Sequence, residues 1–386
     1  MVILTNQVTA SARNFTLNLF LFNYIGINAF GEYATIYFTI LGFGIFLNNS
    51  FFTHIMRCKL SGRAQDKMVI SILASLCILI LLFSVVISLS FGVFYNNFYF
   101  LIAIAVLFFD LHYRVSYLYQ RFWKSFLNYS IICNLLIIIA IICGIKTLIP
   151  LGLTFCIICA SFFLLGCSLL INIVTFFRLN ANFKSIKIYL TGLPLKNSDL
   201  GKASLIQIVT SVSYSFLGSL PNASIYLAYT RLIQSILGPL NLILFILETK
   251  TIGALFDSNN QVSNYRTIFI KILLGLMIIA TFGVFVIIFW TTIWGFFIHD
   301  YEWDPSFWNY VYVLILIVVF NLIDSQLNVL LKMKRRDSYI LTAAIFTFVV
   351  LICCISVVYY FSIPYYIPLI LGITPFINVI IKIIRI

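Results

Sequence analysis

Apolar runs long enough to cross a bilayer alternate along the chain with short polar breaks. They fall near residues 3–25, 34–55, 69–94, 98–118, 126–145, 148–176, 203–221, 225–247, 272–296, 307–330, 339–361 and 365–384. A hydrocarbon core of about 30 Å takes roughly 17–25 apolar residues of helix, and a helix satisfies all its own backbone hydrogen bonds in lipid. The pattern therefore predicts an all-α integral membrane protein with about twelve transmembrane helices. The first run has no small-residue cleavage motif behind it and reads as a retained first helix.

Polar residues inside these runs expose an internal repeat. In span one, Gln7, Ser11, Asn14 and Asn18 share one helical face, and Gln207, Ser211, Tyr214 and Gly218 reproduce the spacing in span seven. Phe30-Gly31-Glu32-Tyr33 leads into span two as Ala223-Ser224-Ile225-Tyr226 leads into span eight. In spans four and ten, Asp110, Tyr113, Arg114, Tyr117 and Arg121 match Asn321, Asp324, Ser325, Asn328 and Lys332. The chain is expected to form two six-helix bundles, a 6+6 pseudo-twofold repeat around a shared cleft. Residues 1–176 make the first bundle, 177–203 a cytoplasmic linker, and 204–386 the second bundle.

Composition agrees with a lipid solvent: 62% of the 386 residues are hydrophobic and 9% charged, against about 25% charged in soluble domains. The net charge of +13 does not indicate a nucleic-acid partner, because the basic residues sit in short loops. Twenty of the 24 lysines and arginines fall on one side, from Arg57 and Lys59 to the terminal pair Lys382 and Arg385. The opposite loops hold Lys146 and the acidic group Asp300, Glu302 and Asp304. The positive-inside rule then places both termini in the cytoplasm. The cysteines behave as small hydrophobes in apolar runs. Cys156 and Cys159 have CxxC spacing, but no second pair or nearby histidine completes a metal site. No cofactor is expected.

Five ionisable residues lie deep in the runs: Arg13, Asp110, Arg114, Arg231 and Asp324. A charge at the bilayer centre costs at least about 2.5–3.5 kcal/mol, so such residues face a cavity or a partner. Asp110 and Arg114, four apart, can pair on their own helix. Asp324 is a candidate ion-coupling or structural carboxylate. Arg13 and Arg231 have no carboxylate three or four residues away. A guanidinium is a planar donor fork suited to phosphate; the alternative is an interhelical partner such as Asp324. With Asn14, Asn18 and Gln207, the two arginines form the expected cavity set. Gly238-Pro239 and Thr374-Pro375 mark flex points in spans eight and twelve.

The segment Gly26-Ile27-Asn28-Ala29-Phe30-Gly31-Glu32-Tyr33 after a polar first helix resembles the O-antigen repeat-unit flippases. So do Ser224-Ile225-Tyr226-Leu227-Ala228-Tyr229-Thr230-Arg231 with Pro239, and the 6+6 layout. Those flippases are the polysaccharide transporters of the multidrug/oligosaccharidyl-lipid/polysaccharide exporter superfamily. The resemblance implies a multi-pass protein of the bacterial inner membrane that moves undecaprenyl-diphosphate-linked oligosaccharide to the periplasmic leaflet by alternating access. It also implies a cationic central cavity, and an O-antigen polymerase and chain-length regulator as partners besides membrane lipids. Two readings compete. A drug/cation antiporter of the same superfamily would favour carboxylates in its cavity. An O-antigen polymerase or lipid-linked glycosyltransferase would carry a larger periplasmic loop.

Overall fold

The computed structural model describes residues 2–47, 120–180, 199–236 and 336–385, with residue 275 and several positions between 319 and 331. Among these residues the regular structure is entirely helical: α1 (Val2–Ile25), α2 (Ile27–Leu47), α3 (Gln120–Ile145), α4 (Leu151–Asn180), α5 (Asp199–Gly218), α6 (Ala223–Ile236), α7 (Asp337–Phe361), the 3₁₀ turn Pro364–Tyr366, and α8 (Ile367–Arg385). Among the described residues, four stretches are long and apolar enough to cross a membrane: Ser125–Ile145, Leu151–Leu169, Asp337–Phe361 and Pro364–Ile384. The chain is a multi-pass membrane protein. The expected spans 69–94 and 98–118, with Asp110 and Arg114, span 272–296 apart from residue 275, and Gly238-Pro239 lie outside the described residues.

The helices come in consecutive pairs, and each described corner turns on a residue of left-handed backbone. These are Gly26 (φ 82°), Thr147 (φ 55°), Asn222 (φ 61°) and Ser362 (φ 54°). At Gly26 this conformation is free of a Cβ penalty, and the Phe30 amide donates to the Gly26 carbonyl at 2.9 Å to start α2. At Ser362 the amides of Ser362 and Ile363 donate back to Tyr359 and Val358, filling carbonyls that the end of α7 leaves open. Pro375 removes a donor inside α8, and the Thr374 hydroxyl bonds the Ile370 and Leu371 carbonyls at 3.2 and 3.3 Å. Leu371 is the acceptor that proline leaves without its helical amide.

Burial is inverted relative to a soluble protein. On α3 the buried face carries Ser130, Cys133, Asn134, Ile137 and Ile141, while Ile132, Leu135, Leu136, Ile139 and Ile142 are exposed. In lipid an exposed aliphatic residue costs nothing, whereas an amide must find a partner inside the protein. Exposed Tyr359, Tyr360, Tyr365 and Tyr366 cluster at the α7–α8 corner, the amphipathic rings expected at headgroup level.

The chain divides into two compact units. The first comprises Met1–Phe20 and Thr35–Ser215; the second comprises Leu21–Ala34 and Phe216–Ile386. Helix α5, assigned from sequence to the second half, falls mostly in the first unit, and α4 and α5 reach into both ends of the expected linker 177–203. Asp199 and Lys202 make that first turn of α5 polar, with a surface ion pair at 3.9 Å.

Candidate functional site

In the first unit, α1 and α3 are joined by two polar rungs. The Ser130 hydroxyl donates to the Asn6 side-chain oxygen. Seven residues further along α1, Arg13 Nη1 donates to Asn134 Oδ1 at 3.1 Å. The rungs ascend both helices in the same order, so α1 and α3 run in the same direction.

Arg13 is fully buried. Its Nε and Nη2 donate to Asn14 Oδ1 at 3.1 and 2.7 Å, and its guanidinium carbon lies 5.6 Å from the centre of the Phe162 ring on α4. Two amide oxygens and an aromatic face take the place of water around part of the cation. Asn18 is buried one turn beyond Asn14. Its amide nitrogen donates to the Asn14 carbonyl at 2.7 Å, and its Oδ1 makes no hydrogen bond among the described residues. Gln207 on α5 is half-buried. Spacing places Asn14 and Asn18 on one face with Gln7 and Ser11; Asn134, Asn6 and Ser130 join Arg13 and Asn14 in the structure and are not among the sequence-predicted residues. An amide amid the isoleucines of span five was the available signal.

In the second unit, Arg231 is buried on α6 among Leu227, Ala228, Leu232 and Ser235. Asp324 of the same unit is not its partner. The carboxylate is held instead by Lys382 of α8, whose Nζ lies 2.5 Å from Asp324 Oδ1. Lys382 also donates to Asn328 Oδ1 at 2.8 Å, and Asn328 Nδ2 donates to Asp324 Oδ2 at 3.0 Å. This corrects one expectation: Lys382 is not a loop charge but a side chain only 2% exposed. The reason is geometric. Asp324 and Asn328 stand four residues apart on one helical face, and together they satisfy two donors of the ammonium.

The second unit also holds a contact between the start of α2 and the start of α6. The Ser224 hydroxyl donates to Asn28 Oδ1 at 3.3 Å. A Cβ added at Gly31 would lie 2.1 Å from the Ser224 carbonyl oxygen, so only glycine fits. Phe30, buried beside it, packs edge-on to Phe22 and stacks with Tyr33. Among the described residues no group of three or more His, Cys, Asp or Glu side chains is placed to hold a metal ion.

The fold is similar to that of an inward-facing multidrug resistance MATE family transporter of the MOP superfamily, with a TM-score of 0.59 and 14% identity over 97% of this chain and 94% of that one. It is also similar to MATE in a bent conformation (TM-score 0.52, 13% identity, 100% and 93% covered) and to MATE in complex with MaL6 (0.55, 14%, 100% and 95%). No family model matches the chain, and no curated protein matches it in sequence. At this identity the likeness is one of fold.

Proposed function

We propose that this chain is a membrane transporter that flips undecaprenyl-diphosphate-linked oligosaccharide from the cytoplasmic to the periplasmic leaflet of a bacterial inner membrane. The observation that carries the reading is Arg13: a permanently charged fork, fully buried and oriented by amide oxygens. A diphosphate presents oxygens to the same donors, so substrate can take over from Asn14 and Asn134 while Arg231 supplies a second buried cation. Asn18 and Gln207 offer hydrogen bonds to sugar hydroxyls, and the lipid tail stays in the bilayer. Two six-helix halves rocking about the cleft then give alternating access. Hand-over of the repeat unit to an O-antigen polymerase and chain-length regulator follows on the periplasmic side.

Deleting the gene and locating the lipid-linked oligosaccharide tests the reading. Single repeat units retained on the cytoplasmic face are the expected result; their accumulation on the periplasmic face would indicate a polymerase. A second reading is drug or cation antiport, favoured by the fold shared with proteins described as multidrug transporters. It predicts unchanged surface polysaccharide in the deletion strain and a lost resistance to cationic dyes.

A further inference from the structure

A carboxylate inside a membrane bundle can be kept neutral in three ways: by a proton, by a bound cation, or by an ammonium on the same chain. Asp324 uses the third. Lys382 lies within the apolar stretch Pro364–Ile384, and its ammonium meets two oxygens, Asp324 Oδ1 at 2.5 Å and Asn328 Oδ1 at 2.8 Å. The Asn328 amide is oriented by its own donation to Asp324 Oδ2, which fixes its oxygen toward the cation. The amide thereby serves the cation rather than the carboxylate alone. One charged and one neutral oxygen converging on a single buried point is the donor set that a small, hard cation takes.

The geometry points to a monovalent-cation site formed by Asp324 and Asn328 and permanently filled by the tethered ammonium of Lys382. The second unit consequently holds its carboxylate neutral without taking an ion from solution. Removing the amine opens the site to sodium or to a free alkylammonium. This inference concerns the triad alone and stands whether the cargo is an oligosaccharide or a drug.

The test uses the purified full-length chain in detergent, unfolded thermally in sodium chloride, in methylammonium chloride, or in N-methylglucamine chloride at equal ionic strength. The wild type should melt at the same temperature in all three. Lys382→Ala should melt lower in N-methylglucamine and regain about 3 °C or more, saturably, with sodium or methylammonium. The double variant Lys382→Ala/Asp324→Asn has no charge left to neutralise, and its melting should not depend on the cation. Should Lys382→Ala fail to fold without sodium, Lys382→Gln, which retains a donor, is measured the same way. A single variant that folds with no cation-specific gain would overturn the proposal and leave an ordinary ion pair. So would a sodium-specific gain in the wild type that Asp324→Asn removes, since the site would then hold a metal ion beside the lysine.

Discussion

Each unit buries a cation, and the two are held in opposite ways. In the first, Arg13 is surrounded by the Asn14 and Asn134 oxygens and the Phe162 ring. In the second, Lys382 is bound to a carboxylate. A guanidinium cannot lose its proton in a protein, and amide oxygens accept from its planar donor fork. The lysine's charge is cancelled where it sits. The first surrounds a guanidinium with amide oxygens and a ring face; the second sets an ammonium against a carboxylate. Two buried basic residues of similar length thus have different chemical meanings, decided by their partners.

The largest expected effect separates the two directly. Lys382→Met or Asp324→Asn alone should destabilise the protein by about 3–5 kcal/mol, because each leaves the other charge buried without its partner. The Lys382→Met/Asp324→Asn double variant should recover most of that loss in thermal unfolding. Failure of the double variant to recover would mean that the pair is not self-contained. For Arg13 the expected pattern differs: Arg13→Met/Asn134→Leu should recover stability but not surface polysaccharide. Recovery of both would remove Arg13 from the transport mechanism.

Arg13→Lys comes next. It keeps the charge but loses the planar fork, so it should cost about 1–3 kcal/mol and lower polysaccharide display at normal protein level. Asn134→Ala, which removes one of the amide oxygens, should cost about 1–2 kcal/mol in the same assay. The smallest effect is expected at Thr347, whose hydroxyl bonds Asn378 Oδ1 at 2.9 Å. Thr347→Val should cost about 1 kcal/mol, with no dependence on the cation present.

Helices were legible where hydropathy and backbone geometry end together. The expected span 339–361 meets α7 at Asp337–Phe361 because Arg336 and Ser362 bracket it. They were less legible where a helix begins in polar residues. Helix α2 starts at Ile27 rather than near residue 34, since Asn28 and Glu32 dilute the apolar signal while the Gly26 corner has already set the helix. Arg13 stood out because a charge in an apolar run needs a reason. Its partner Asn134 did not, because which helices lie side by side is not written in the spacing along any one of them. Lys382 was misread for a related reason. A basic residue near the end of the last span resembles a topology signal until Asp324, 58 positions earlier, is found beside it.

The Gly31–Ser224 contact has a consequence for how this sequence can drift. Every missense change at a glycine codon adds at least a methyl group, and here that group has nowhere to go but into a carbonyl oxygen of another helix. Position 31 should therefore be a hole in any saturation library selected for display, beside a tolerant neighbour at Glu32, which is exposed. Among homologues the same residue would mark the boundary of what the lineage can explore: loops and lipid-facing positions are free to diverge around a single site that cannot.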